Sequence, residues 1–287
     1  MQIAKSLNEM KHLLNLIFKN KRMAQRTPDS QTFVLLITLY EEKNSLRREE
    51  LMTCLDKNLQ HPLIDKVIIF FEKKENTPGT FYKQISMMKN NLEIIICKER
   101  PTFKSFFEFA NDQLKGKNVI LANADIFFDS TLNEIKDYDF TNKFFVLTRW
   151  NVVDNNQLYL QSWKNPVYPW EKIKKEELIK NPNLQNAHSA DAWIFRAPVD
   201  LDFECEFPLG TYMCDSLLNF SLLGKQAQGA FRVFNPCLSI RACHLDKNIN
   251  QKDRASYLRY KKENYSTELL GRVGKGRVKW CYLNDTL

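Results

Sequence analysis

"KNVILANADIFFDS", residues 117–130, is the stretch on which the fold turns. Its apolar run, "NVILAN" at 118–123, lacks the in–out alternation of a half-exposed strand. It has the pattern of a strand covered on both faces, as in a parallel sheet under helices. Past its tip stand Asn123, Asp125 and Asp129. Acids placed there make either a surface turn or a site for a cation and a phosphate. Alternate residues of an extended segment point the same way, so Asn123 and Asp125 can meet one ligand.

Upstream, the same pattern repeats. "TFVLLITLY" (32–40), "DKVIIFFE" (65–72) and "NLEIIIC" (91–97) are three more strand-like runs. Between the first two, Leu51, Leu55 and Leu59 recur at helical spacing over 45–59, with Asn44 or Ser45 as cap. Residues 100–114 read as a turn and a helix capped by Thr102. Strands alternating with helices predict an α/β fold whose mostly parallel central sheet has right-handed crossovers. In such sheets ligands bind outside the carboxyl ends of the strands. That edge collects Asn123 and Asp125, the stretch "YEEKN" that begins at Tyr40, and Arg100.

Downstream, "KFFVLTRW" (143–150) and "DAWIFRAP" (191–198) read as strands on either side of a polar region, 151–187. A turn and helix occupy 210–226, and 230–244 closes the body as a strand and an extended segment.

The chain has 287 residues, 44% of them hydrophobic, enough for a sizeable core. Eight glycines are too few for a sandwich of many tight turns. The net charge of +8 is unevenly spread. Residues 1–30 carry six basic and two acidic side chains, and 251–287 carry nine and four, leaving the middle close to neutral. Basic ends over a neutral body suit either solubility or contact with an anionic surface, such as a membrane periphery. Residues 3–18 have the spacing of an amphipathic helix, and "RTPDSQ" (26–31) breaks the chain after it. Such a helix docks on its own domain or a sister subunit, or lies on a membrane. Seven scattered cysteines without zinc or C-x-x-C spacing point to free thiols in the cytoplasm. No segment approaches transmembrane length.

Three places then combine. They are "NAD" at 123–125, "MCDSLL" at 213–218 where an acid opens a helix, and His244 in "RACHLD" after the last strand. In this order they resemble the GT-A fold of nucleotide-sugar glycosyltransferases, over roughly residues 32–246. The resemblance implies a Rossmann-type sheet, with 32–125 as the nucleotide-binding half and 126–250 as the acceptor half. Residues 1–31 become a helical extension and 251–287 a basic tail.

"NAD" stands where that family has D-x-D, the motif that holds a divalent cation, Mn2+ or Mg2+, against the donor's diphosphate. The resemblance makes Asp125 a metal ligand, Asn123 a contact to ribose or water, and His244 the group that completes coordination. Asn123 removes one charge from the motif, and Asp129 is a possible helper. Arg241 is a candidate phosphate contact. Asp215 matches the family's general base, with Cys214 in place of the preceding acid. Helix capping is the alternative for Asp215. Asp191 is a second candidate base. Tyr40, Arg100, Arg149 and Trp193 are candidate donor contacts, with core burial the alternative for Trp193 and Trp150.

The implied partners are a nucleotide-sugar donor and an acceptor of unassigned class, whether glycan, lipid, protein or nucleic acid. Two rivals remain. A nucleotidyltransferase usually carries a glycine-rich loop after the first strand, and "YEEKNS" has no glycine. A non-catalytic nucleic-acid or glycan-binding module would use the basic ends, where Tyr257, Tyr260 and Tyr265 interleave with Lys and Arg. No G-x-G-x-x-G, P-loop, G-x-S-x-G or zinc-protease motif is present.

Overall fold

The computed structural model describes residues 31–73, 79–88, 91–152, 157–161, 167–169, 187, 189–245, 267–273 and 275–287. The expected amphipathic helix at 3–18, most of the polar region 151–187 and the tyrosines at 257, 260 and 265 lie outside them. Contacts divide the chain into Met1–Gln31 and Thr32–Leu287, and the elements of the fold belong to the second unit.

Strands β1 (Phe33–Tyr40), β2 (Ile64–Glu72), β3 (Leu92–Cys97) and β4 (Asn118–Ala122) run parallel. Beside them, β10 (Ala192–Arg196) is antiparallel to both β4 and β6 (Lys143–Leu147). Strand β11 (Arg232–Phe234) adds in parallel at the edge. Together they make a seven-stranded central sheet in the order β11-β6-β10-β4-β1-β2-β3. The fold is α/β, with a mostly parallel sheet between helices.

The unbroken apolar runs have a direct cause. Phe33, Leu35, Ile37 and Leu39 of β1 join Leu51, Leu55 and Leu59 of α1 (Ser45–Gln60) and Phe81 and Ile85 of α2 (Thr80–Ser86) in one core. Val34 and Leu36 face the other way. They join Phe103, Phe106 and Phe107 of α3 (Phe103–Gln113) and Leu217, Leu218 and Leu222 of α4 (Cys214–Ala227). Each of these strand residues is therefore buried whichever way it points. Asn44 caps α1 by accepting from the backbone N–H of Leu46 and Arg47, and Thr102 caps α3 through Ser105.

A second sheet, unforeseen in the sequence, is built from β5 (Ile126–Phe128), β7 (Arg149–Val152), β8 (Leu158–Gln161), β9 (Val167–Pro169) and β12 (Ala242–Leu245). Its order is β5-β12-β7-β8-β9. The expected single strand at 143–150 is in fact two, because the chain changes sheets at Thr148. Thr148 is fully buried yet satisfied: its backbone N–H donates to Asn235 Oδ1 and its hydroxyl to Ser189 O, while the hydroxyl oxygen accepts from Asn235 Nδ2 and Trp280 Nε1. Such a fixed polar crossover cannot be read from hydropathy.

Trp280 also corrects the picture of 251–287 as a tail. Val278, Trp280 and Thr286 are buried, and Tyr138 Oη lies 2.7 Å from Thr286 Oγ1. A Cβ at Gly276 would collide with the carbonyl of Ser216 on α4, so only glycine permits the approach. The segment from 275 onward belongs to the body. Helix α5 (Thr267–Val273) precedes it.

Candidate active site

Topology assembles the site at the carboxyl end of β4. Because β10 runs antiparallel to β4, with Ala192 opposite Ala122, the start of β10 meets the end of β4. The backbone N–H of Asn123 donates to Asp191 O at 3.0 Å, and Asn123 Nδ2 donates to Asp191 Oδ1 at 2.8 Å. Asp191 also lies 3.5 Å from Arg149 Nη1. Strand β12 runs antiparallel to β5, with His244 opposite Ile126, and this sets His244 beside Asp125. The His244 Nε2 to Asp125 Oδ2 distance is 3.2 Å, and the N–H of Leu245 donates to Asp125 O at 3.0 Å.

Helix α4 delivers Asp215. Its cap is Met213, held in the left-handed region at φ 65°, a conformation that costs a non-glycine residue about 1 kcal/mol or more. Asp215 is thus not the cap. It stands in the first turn, and its Oδ2 accepts from the N–H of Ala190 at 3.1 Å, one residue from Asp191. Gly210, at φ 75°, brings the preceding loop close to Asn123 Oδ1.

The two acids sit in opposite environments. Burial alone would raise the Asp125 carboxyl, but His244 and then Arg47 outweigh it and hold the group far below the ordinary carboxylate range. Burial, and next the nearby charge of Asp191, push Asp215 up to about 7, against the backbone N–H groups of Ser216 and Ala190 and against Arg149. A carboxyl so placed can exchange a proton near neutrality.

Arg47 did not stand out in the sequence. From the first turn of α1 its Nη2 reaches Asp125 Oδ2 at 2.5 Å and its Nη1 reaches Glu50 Oε2 at 2.9 Å. Glu50 is fully buried. A signal did exist. Arg47, Glu50, Cys54 and Asn58 recur at helical spacing beside the leucine stripe, so an acid falls on a buried face. Asn58 completes that face, donating to Ile126 O and accepting from the N–H of Phe128, which ties α1 to β5.

At the neighbouring strand ends, Arg100 lies 6.0 Å from the Tyr40 ring and 3.6 Å from Glu72 Oε2. Tyr40 donates to Glu42 Oε2 at 2.7 Å. Burial, then Glu42, push its hydroxyl up to about 12. Tyr40 and Arg100 therefore line the same edge as Asp125, on the part of it formed by β1, β2 and β3, with Glu72 an addition from the structure.

Four candidate residues have other partners. Trp193 does not reach the edge. It is fully buried against Phe103, and its Nε1 bonds Asn219 Oδ1 at 3.3 Å, so it is a core residue. Trp150 is likewise buried, donating to Cys237 O. Asp129 does not join Asp125. It caps a short 3-10 helix at 130–135 through Thr131 and pairs with Arg241 at 2.7 Å. Cys214, in the place of the family's first acid, is buried, and burial raises its thiol to about 12.

For a divalent cation, no group of three or more His, Cys, Asp and Glu side chains is disposed to hold one among the described residues. The protein offers a pair. Asp125 Oδ1 and His244 Nδ1 are both buried without a hydrogen-bond partner. A carboxylate and an imidazole are ligand types that Mn2+ accepts, its remaining ligands coming from phosphate and water.

No protein-family model matches the chain, and no curated protein matches it. Solved structures of GT-A-type glycosyltransferases do match. The mannosyltransferase PcManGT from Pyrobaculum calidifontis, in complex with GDP-Man and Mn2+, is 14% identical with a TM-score of 0.47, over 96% of this chain and 79% of that one. GalNAc-T7 with UDP, GalNAc and Mn2+ is 12% identical with a TM-score of 0.48, over 78% and 45%. The inositol-1-phosphate CTP transferase from T. maritima is 11% identical with a TM-score of 0.39, over 87% and 99%. These likenesses are too distant to assign a chemistry, which rests on the residues at the end of β4.

Proposed function

We propose that the protein is a glycosyltransferase that moves a sugar from a nucleotide-sugar donor to an acceptor hydroxyl. One observation carries this reading: a carboxylate held by His244 and Arg47, Asp125, shares one strand edge with a carboxyl raised to about 7, Asp215. Glycosyl transfer needs both, since a diphosphate departs with negative charge while a hydroxyl gives up a proton.

The base and ribose of the donor lie over the ends of β1 to β3, near Tyr40, Glu72 and Arg100. Asn123, fixed by Asp191, faces the ribose or a bound water. Asp125 and His244 would hold a divalent cation, Mn2+ or Mg2+, whose positive charge would offset the charge of the leaving diphosphate. Asp215 takes the acceptor's proton as the new glycosidic bond forms. Asp191 holds the base's affinity for that proton high, and Arg149 moderates it.

The test is nucleoside diphosphate release from UDP- and GDP-sugars, with and without Mn2+, in wild type and Asp125→Ala. Cation-dependent release that falls at least about a hundredfold in the variant supports the reading. Release that ignores both cation and variant contradicts it. Pyrophosphate as product would instead mark a nucleotidyltransferase.

A further inference from the structure

Asp125 is already occupied. Its Oδ2 meets Arg47 Nη2 at 2.5 Å and His244 Nε2 at 3.2 Å. Arg47 is no loose surface side chain. Its other nitrogen is held by Glu50, its backbone N–H by the Asn44 side chain, and its helix is fastened to β5 by Asn58. A cation bound by Asp125 would stand within a few ångströms of the guanidinium, two like charges in a partly dry site. The guanidinium must leave before the cation settles, and it needs a new anionic partner. A diphosphate provides one, because its oxygens match the planar fork of arginine.

We propose that Arg47 is a donor-operated latch: it closes Asp125 to a divalent cation until a diphosphate draws the guanidinium away, so that cation and donor bind together. This rests on the reading of the cleft as a site for a nucleoside diphosphate and a cation. It assigns Arg47 two partners in turn, Asp125 before the donor binds and a phosphate oxygen after. Glu50, fully buried, is the pivot that keeps the guanidinium over the cleft in both positions. The free protein then does not hold a cation that a stray anion could reach, and the leaving-group charge is met by the cation and Arg47 together.

The experiment measures Mn2+ binding to the full chain from the paramagnetic resonance signal of free Mn2+, first with Mn2+ alone and then with UDP or GDP. Wild type is expected to bind Mn2+ weakly without nucleotide. Arg47→Gln is expected to bind it about tenfold tighter and to bind nucleotide several-fold weaker. Arg47→Lys keeps a positive charge beside Asp125 but lacks the planar fork that matches a diphosphate. It is expected to bind Mn2+ about as weakly as wild type without nucleotide and to gain less affinity from UDP or GDP, and it carries the test should the glutamine variant not fold.

Unchanged nucleotide-free affinity in Arg47→Gln overturns the latch, as does a lysine variant whose Mn2+ affinity nucleotide raises as much as it raises that of wild type. In both cases cation binding by wild type with nucleotide leaves the glycosyltransferase reading standing. Absence of Mn2+ binding in every variant, with or without UDP or GDP, overturns the cation site and the latch together.

Discussion

The two ends of the cleft treat the same functional group in opposite ways. Around Asp125, β5, β12 and α1 gather an imidazole and a guanidinium, and the carboxylate is held ionised far below its usual range. Around Asp215, α4 and the start of β10 set a second carboxylate beside an acid in an enclosed place, and its pKa rises to about 7. Residue type alone does not separate a ligand from a base, but neighbours do. The first end is built to keep negative charge and the second to trade it for a proton.

The largest effects should come from abolishing either end. Asp215→Asn should lower kcat by about 10²–10⁴ with the donor's KM little changed, as loss of a general base does. Asp125→Ala should lower kcat/KM by at least about 10² and weaken the nucleotide as well. Steady-state kinetics with UDP- and GDP-sugars separates the two, and an equal KM effect in both variants would erase the distinction between the ends.

Stability should sharpen the same contrast. The folded value for Asp215 lies above the unfolded one, so the folded state binds the proton more tightly. The stability it contributes is present below pH about 4 and is lost as pH rises through about 7. Asp215→Asn should therefore stabilise the protein at pH 8, by on the order of 1–2 kcal/mol once partial solvent access is allowed for. Asp125 has the reverse sign. Its folded value is depressed, so its contribution is present above pH about 4 and lost on acidification. Asp125→Asn should destabilise by about 1–3 kcal/mol at neutral pH. Denaturant midpoints of the Asp215 variant at pH 5 and pH 8, and of the Asp125 variant at pH 3 and pH 7, check both signs.

A smaller effect tests the coupling between acids. Asp191→Asn removes the charge that helps raise Asp215, so the acid limb of the kcat profile should move down from about pH 7 by up to about one unit. An unmoved limb would detach Asp191 from the base. The smallest effect belongs to the core: Trp193→Phe should cost about 1–2 kcal/mol of stability, measured by denaturant unfolding, with kinetics nearly unchanged.

How legible this was in the sequence depends on what each element must do. Strands β1, β2 and β4 were plain because burial on both faces forbids alternation, and "TFVLLITLY" is found as β1 within a residue; β3 is an edge strand with no fully buried residue, and its apolar run alone marked it. The helices at 45–60 and 103–113 were plain because Asn44 and Thr102 cap them and apolar stripes run along them. The second sheet was not legible. Its strands are three or four residues long, and their pairing joins segments far apart, such as β5 with β12. Thr148, where the chain crosses between sheets, is marked by polar bonds that leave no periodic trace. At the site, Asp125, Asp191, Asp215 and His244 stood out by chemistry and chain order. Arg47 did not, because a basic residue near a helix start looks like solvent surface. Only the burial of Glu50 three residues on, at the edge of a leucine stripe, betrays that face. Trp193, offered as a stacking residue or a core one, is core: β10 is covered on both faces, so its indole is buried whichever way it points.

The most direct test is a crystal structure of the protein with a nucleoside diphosphate and Mn2+. The diphosphate should lie at the carboxyl end of β4, with the cation between Asp125 and His244 and the guanidinium of Arg47 turned from Asp125 onto phosphate. Asp215 should face the open side of the same cleft. Nucleotide bound away from β4, or bound there with the Asp125–Arg47 pair intact and no cation beside it, would contradict the assignment.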